Sequence, residues 1–269
     1  MMVHVICPIC KAKLVKEKPA WYCENGHSFD VARQGYVNLL TVQQKHSLHP
    51  GDTAEMVLAR RRFLETGYYR PIAEKVRELL NKFCPDAVSV LDVGCGEGYY
   101  LSQLDHHERW GIDISKDAVR YAAGGHKDIH FLTATASHLP FQEESFDALL
   151  SMFALTMDEE FSRVLREEGI FIQVLAGESH LLNLKRIIYP TITEKEKTRP
   201  IELKGFTLIH SESIRFPFRL NNRQSVQDLL SMTPHLWRIS KEGARALAET
   251  EQLTDEADVL FHVYSRHRI

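Results

Sequence analysis

Val88-Ser89-Val90-Leu91-Asp92-Val93-Gly94-Cys95-Gly96-Glu97-Gly98-Tyr99-Tyr100 decides how the rest of the chain is read. Its first half is β-branched and apolar, the pattern of a buried parallel strand ending at Asp92. Three glycines at alternating positions follow, and Tyr99 to Leu104 then begins a predicted helix. Strand, glycine turn and helix bring a nucleotide-sized ligand against backbone N–H groups. The spacing Gly94-x-Gly96-x-Gly98 differs from the G-x-G-x-x-G of a dinucleotide site, which cradles a pyrophosphate. A second acid, Asp113, closes the strand Trp110-Gly111-Ile112-Asp113-Ile114 nineteen residues after Gly94. A carboxylate there accepts hydrogen bonds from both hydroxyls of a ribose. The competing reading is an ordinary βαβ turn with a chance acid.

Outward from that stretch, 269 residues suffice for one large α/β domain and a small module. The composition, 44% hydrophobic and 26% charged, is that of an ordinary soluble protein. No run of about 18 apolar residues occurs, so no membrane helix is expected. Met1-Met2-Val3-His4-Val5-Ile6 lacks the basic and apolar regions of a signal peptide, so a cytoplasmic location is expected. The net charge of −3 hides a segregation: residues 1–70 carry +4, residues 101–170 carry −7 and residues 179–225 carry +5. Basic segments flanking an acidic core permit a polyanionic partner, and equally a plain solvated surface.

The N-terminal segment holds Cys7-Pro8-Ile9-Cys10 and, after twelve residues, Cys23-Glu24-Asn25-Gly26-His27. Three thiolates and an imidazole close a tetrahedral zinc site, each close pair supplied by a tight turn. With all four ligands used, the metal is expected to be structural. Lys11, Lys13, Lys16 and Lys18 lie between the knuckles with Trp21 and Tyr22. That interleaving suits RNA contact and base stacking, or a ribbon whose aromatics merely cover the metal.

Further along, Asp52-Thr53-Ala54-Glu55 has the shape of a capping box opening a helix that ends near Gly67. Within it, Arg60-Arg61-Arg62 reads as a solvated face, with phosphate contact as the sharper alternative. Tyr69-Arg70-Pro71 joins it to a second helix ending at Phe83, and Ser115 is a plausible N-cap after Asp113. Strands are expected at Ile129–Leu132, Ser145–Met152, Ile170–Leu175, from Phe206, and at Ala257–Tyr264. A polar loop is expected from Val42 to Gly51, a basic helix from Leu181 to Tyr189, and a polar stretch from Thr191 to Pro200. The resulting organisation is a zinc-binding module over 1–35, a linker with helices over 36–84 and the nucleotide-type domain over 85–269.

Together these motifs resemble one family. Cys7-x2-Cys10-x12-Cys23-x3-His27, Gly35-Tyr36-Val37-Asn38-Leu39-Leu40, Asp52-x2-Glu55-Met56 and Ala59-Arg60-Arg61 match it. So do Asp92-Val93-Gly94-Cys95-Gly96-Glu97-Gly98-Tyr99-Tyr100 and Met232-Thr233-Pro234-x2-Trp237-Arg238. The chain is similar throughout to the large-subunit (23S) ribosomal RNA guanine-N1-methyltransferases, zinc-finger-bearing enzymes of class I. The resemblance implies a Rossmann-like α/β domain with a seven-stranded mixed sheet, S-adenosylmethionine (SAM) as methyl donor and Zn2+ in the N-terminal module. It implies a homodimer acting on guanine N1 in a hairpin loop of 23S ribosomal RNA. Cofactor contacts carried onto matching positions are Tyr69, Gly96, Glu97 and His180; Asp92, Gly94 and Asp113 join them from the reading of the strand ends. The metal ligands are Cys7, Cys10, Cys23 and His27.

Two departures stand out. A proline usual after the fourth strand is replaced by Phe153-Ala154-Leu155, and a glycine-rich turn before the fifth by Arg166-Glu167-Glu168-Gly169. Two other classes compete. A small-molecule SAM methyltransferase is one, because Leu139-Pro140-Phe141 and Phe146-Asp147 also occur in such enzymes. A zinc-dependent RNA-binding protein without catalysis is the other. No side chain declares itself as proton acceptor, and Glu178 is a candidate by position alone.

Overall fold

The computed structural model describes residues 3–45, 47, 50–106, 108–192 and 202–267. His46 and His49 of the expected loop, and 193–200 of the expected polar stretch, lie outside the described residues.

The glycine stretch follows strand β5 (Ser89–Val93), buried along its whole length. It pairs in parallel with β6 (Glu108–Asp113) on one side and β8 (Phe146–Met152) on the other. Beyond β6 come β7 (His130–Thr133) and a two-residue strand β4 (Val37–Asn38), both parallel. Beyond β8 come β9 (Leu165–Ala176), β11 (Leu253–Arg266) and the edge strand β10 (Phe206–Leu220), the last two antiparallel. The order is β10-β11-β9-β8-β5-β6-β7-β4. The sheet therefore has eight strands where seven were expected. The extra strand comes from Gly35-Tyr36-Val37-Asn38, whose backbone finds the open edge of β7. The strand order reverses at β5, which places the crevice for a ligand at the C-terminal ends of β5 and β6.

Parallel strands need cover on both faces. One face is buried beneath helices α1 (Ala54–Glu65), α2 (Arg70–Phe83) and α4 (Lys116–Gly125), through Phe63, Ile72, Val76, Leu79 and Val119. Their apolar residues recur three and four apart, giving one core stripe. Helices α6 (Leu182–Ile188), α7 (Arg223–Ser231) and α8 (Lys241–Glu249) extend the same cluster. The opposite face is covered by α5 (Asp158–Val164) and by the N-terminal segment. There β1 (Val15–Lys16), β2 (Ala20–Tyr22) and β3 (Ser28–Asp30) form a three-stranded antiparallel ribbon. Val3, Val5, Leu14 and Trp21 share a cluster with Trp110, Phe141 and Phe146. Val5 bridges to Phe141, and Ile6 N donates to the Pro140 carbonyl at 2.9 Å. The ribbon stands where another covering helix would be needed.

Three local expectations are corrected, and one open alternative is narrowed. The helix after the glycines, α3, runs only from Tyr99 to Ser102. One turn supplies little dipole, so the loop's own N–H groups are what a ligand meets. Arg166-Glu167-Glu168-Gly169 is a bulge inside β9, with Glu168 at φ 63°, and not a turn before it. A Cβ on Gly169 would lie 2.8 Å from the Arg166 carbonyl, which explains the glycine. Helix α1 is capped by Thr53, whose side chain accepts from Met56 N, while Asp52 is engaged elsewhere. Trp21 is buried and Lys16 Nζ sits 4.1 Å from the Trp110 ring centroid, so this part of the basic–aromatic interleaving serves packing. Among the described residues no helix is long and apolar enough to cross a membrane.

Candidate cofactor and metal sites

The ribbon's two knuckles bring Cys7, Cys10, Cys23 and His27 together, their ligand atoms all within 4.8 Å of one another. In the first, Lys11 N donates to the Cys7 carbonyl; in the second, Gly26 N donates to the Cys23 carbonyl. Cys10 Sγ and Cys23 Sγ are 3.7 Å apart, and His27 Nδ1 lies 3.4 Å from Cys23 Sγ and 3.6 Å from Cys7 Sγ. Zinc bond lengths put tetrahedral S···S edges at about 3.8 Å and S···N edges at about 3.6 Å. The cluster fits that ion. Asn25 Nδ2 donates to Cys10 Sγ at 3.3 Å, the kind of outer contact that orients a ligand. Cys84 and Cys95 stand apart from this cluster.

At the crevice, Gly94, Gly96 and Gly98 have φ of 82°, 56° and 85°, so the loop winds through left-handed backbone that a side chain disfavours. Gly94 has a second reason. A Cβ there would meet the Ala154 Cβ at 2.7 Å, so the segment after β8 closes directly onto the loop. That segment is firmly held: Phe153 N donates to the Val174 carbonyl, and Gln173 Nε2 donates to Thr156 Oγ1 at 2.8 Å. Phe153 itself has φ 55° and is 39% exposed.

Asp113 Oδ2 accepts from Gly96 N at 2.9 Å and Oδ1 from Ser115 N at 2.8 Å. The carboxylate thus ties the loop to the start of α4, and each oxygen retains a lone pair for a hydroxyl. Asp92 is completely buried, and neither of its carboxyl oxygens has a hydrogen-bond partner; Glu97 Oε2 is in the same condition. Burial, with Asp113 and Glu97 nearby, pushes the Asp92 carboxyl up to about 8. Burial raises Glu97 to about 7, against the pull of the Arg60 guanidinium. Orphaned buried carboxyls are costly and call for a cation. The sulfonium and ammonium of SAM are such groups, so the residues fit the cofactor.

Tyr69 and His180 meet on the other flank. Tyr69 Oη lies 3.3 Å from His180 Nε2, both side chains being buried. His180 Nδ1 accepts from Asp258 N at 3.2 Å, which leaves the ring proton on Nε2, facing the phenol. Burial, reinforced by Lys185, lowers His180 to about 4, so it is neutral at physiological pH. Asp258 also accepts from Ser179 N and Arg215 Nε, and a Cβ on Gly177 would strike its carboxylate at 2.5 Å. Gly177-Glu178-Ser179-His180 is therefore a fixed turn, with Glu178 exposed on it.

The sequence reading missed Arg60 and Asp52. Arg60 turns inward from α1, pairing with Asp52 at 2.5 Å and donating to the Met232 carbonyl at 3.1 Å. Arg61 pairs locally with Glu65, and Arg62 reaches Asp228 with two hydrogen bonds. The signal was present in part, since Ala59-Arg60-Arg61 and Met232-Thr233-Pro234 both belong to the motif set; their contact was not visible. Trp237, at the end of the 3-10 turn Pro234–Trp237, is 70% exposed.

Two family descriptions match: "RlmA, N-terminal" over residues 5–48 and "Methyltransferase domain" over residues 91–173. The chain is 31% identical over 271 residues to YxjB of Bacillus subtilis (strain 168), covering 94% of this chain and 95% of that one. It is 32% identical over 259 residues to the 23S rRNA (guanine(748)-N(1))-methyltransferase of Streptomyces fradiae, covering 91% and 90%. Among solved structures, the YcgJ protein from Bacillus subtilis aligns with a TM-score of 0.46 at 16% identity, over 73% of this chain and 100% of that one. With a ribbon that fits zinc docked on a sheet that fits SAM, and relatives matched nearly end to end, the chain belongs to the 23S rRNA (guanine-N1)-methyltransferase family.

Proposed function

We propose that this protein methylates N1 of a guanine in a hairpin loop of 23S ribosomal RNA in the cytoplasm, with SAM as donor. The observation that carries the reading is the union of a basic Cys3His ribbon with an acidic cofactor crevice on one sheet. A small metabolite gives no reason for the ribbon's exposed lysines, and the name borne by the Streptomyces fradiae relative supports guanine N1.

In this reading Cys7, Cys10, Cys23 and His27 hold Zn2+. Asp113 accepts from the ribose hydroxyls, Asp92 and Glu97 answer the cationic methionine end, and Gly94 and Gly96 let it approach the backbone. Tyr69 and His180 fix the far wall. The cofactor supplies a methyl group on a sulfonium, so the protein's task is alignment of acceptor and donor. Guanine N1 is reachable only when the base is in a loop or flipped out. Phe153 and Trp237 are exposed aromatics on the two segments that touch the glycine loop, through Ala154 and through Arg60 with Met232. They are placed to stack on an extruded base. Lys11, Lys13 and Lys18 grip phosphates, Lys16 being committed to Trp110. A homodimer accompanies this reading, with the edge strand β10, bearing the exposed Leu208 and Ile209, as the surface to examine by light scattering.

Methylation of a ribosomal hairpin fragment, followed by nucleoside mass spectrometry, is the test. The expected product is 1-methylguanosine, with a yield that falls steeply as salt rises. N2- or N7-methylguanosine would refute the base edge, and methyl transfer only to a metabolite would refute the RNA substrate.

A further inference from the structure

The methionine end of SAM carries a sulfonium, an ammonium and a carboxylate. Asp92 and Glu97, at the glycine loop, suit the first two. The third finds acidic neighbours there, with Asp113 close by, and needs a cation to receive it. Arg60 lies in the right place. A Cβ on Gly96 would lie 3.6 Å from its Nη1 and 3.9 Å from its Cδ, so the guanidinium faces the side of Gly96 that the missing side chain leaves open. The side chain is 24% exposed, open to a ligand entering the crevice. Asp52 and the Met232 carbonyl engage one N–H each of the five on the planar fork, and the fork matches a carboxylate. Arg60 also acts electrostatically on both Glu97 and Asp113, favouring their charged forms.

We propose that Arg60 binds the α-carboxylate of the methionine moiety of SAM. The proposal rests on the reading that Gly94–Gly98 receives the methionine end. Through its bond to the Met232 carbonyl, the same guanidinium joins the cofactor to the segment that carries Trp237. The rival is the Tyr69 hydroxyl, which is held by His180 on the opposite flank.

The test is calorimetric titration of the full-length zinc-loaded protein with SAM and with decarboxylated SAM. The second ligand keeps the sulfonium and ammonium and carries one more net positive charge. An acidic crevice without a dedicated cation would bind it more tightly than SAM. We expect the reverse: wild type favours SAM by tenfold or more. Arg60→Ala lowers SAM affinity about ten- to a hundredfold and leaves decarboxylated SAM within twofold. Arg60→Lys, which keeps the charge without the fork, retains part of the preference. Equal binding of the two ligands by wild type overturns the proposal. So does an equal loss of both in Arg60→Ala, which marks a structural role, or loss of the preference in Tyr69→Phe with Arg60→Ala unaffected. If Arg60→Ala does not fold, wild type and Arg60→Lys decide alone. Gly96→Val tests the underlying reading separately: unchanged SAM affinity there places the cofactor elsewhere and overturns the proposal with it.

Discussion

The cysteine cluster and the cofactor crevice are built by opposite strategies. All four metal ligands fall within residues 7–27, and their spacing alone closes a tetrahedron whose edges match zinc. The crevice draws on segments from Asp52 to Asp258, and it leaves both oxygens of Asp92 and one of Glu97 buried without partners. The first site is complete in its ligands and needs an ion to hold them. The second holds buried carboxyls back from ionising, and a cationic ligand favours their charged forms. Local spacing makes a site that chemistry identifies; distant segments make one that electrostatics identifies.

The largest expected effect breaks the first site. Cys10→Ser should lose zinc by metal analysis, because apparent binding free energies of about 10–16 kcal/mol are linked to folding in such modules. Trp21, Leu14 and Val5 cover Trp110 and Phe141, so the sheet should suffer as well. At about 1.5–3 kcal/mol per large apolar side chain re-exposed and 2–4 °C per kcal/mol, Tm should fall by roughly 10 °C or more. SAM affinity should hold within a few-fold. An unchanged Tm with zinc gone would show that the cover survives without its metal.

Next comes the second site. Asp113→Ala removes a charged acceptor worth roughly 1.5–3 kcal/mol, so SAM affinity measured by calorimetry should drop about ten- to a hundredfold. Unchanged affinity would move the ribose elsewhere.

The two raised carboxyls make a prediction of their own. Asp92 and Glu97 have ordinary values of 3.8 and 4.5 and sit at about 8 and about 7 in the fold. Between these limits the folded protein binds more protons than the unfolded one, so stability without ligand falls as pH rises from about 4 to 8. A cationic ligand prefers the ionised carboxyls, so its affinity rises over pH 6 to 9. The SAM-induced rise in Tm should therefore be larger at pH 8.5 than at pH 6. A shift that shrinks with pH would mean these two carboxyls do not face the cation.

The smallest effect separates two costs at Gly94. Gly94→Ala meets Ala154 and also places a side chain on left-handed backbone, at about 1–2 kcal/mol. Adding Ala154→Gly should restore the steric part of the lost SAM affinity and not the conformational part. Full restoration would show that backbone strain contributes nothing.

What the sequence disclosed follows the same division. The alternating glycines, the acid nineteen residues on and the Ser115 cap depend on neighbours in the chain, and the structure puts Gly96, Asp113 and Ser115 in direct contact. The crossing from Arg60 to Met232 spans 172 residues, and no local pattern announces it. Asp52 read as a cap because its side chain suits one, yet Thr53 takes that post and frees Asp52 for Arg60. For Trp21 the sequence left base stacking and a covering role open, because the residues it packs against, Trp110 and Phe141, lie far down the chain. The eighth strand was hidden for the same reason: Val37–Asn38 is too short to declare itself without β7.

That docking of the ribbon also has a consequence in time. Translation delivers the cysteine knuckles long before the surface they cover. The roughly 120 residues from His27 to Phe146 take on the order of ten seconds to synthesise at 5–20 residues per second. Throughout that interval Trp21 and Leu14 have no sheet to lie against, and three strands of two or three residues cannot hold themselves together. Metal capture on the nascent chain would give the ribbon its shape first, presenting a finished apolar template onto which Trp110 and Phe141 later close.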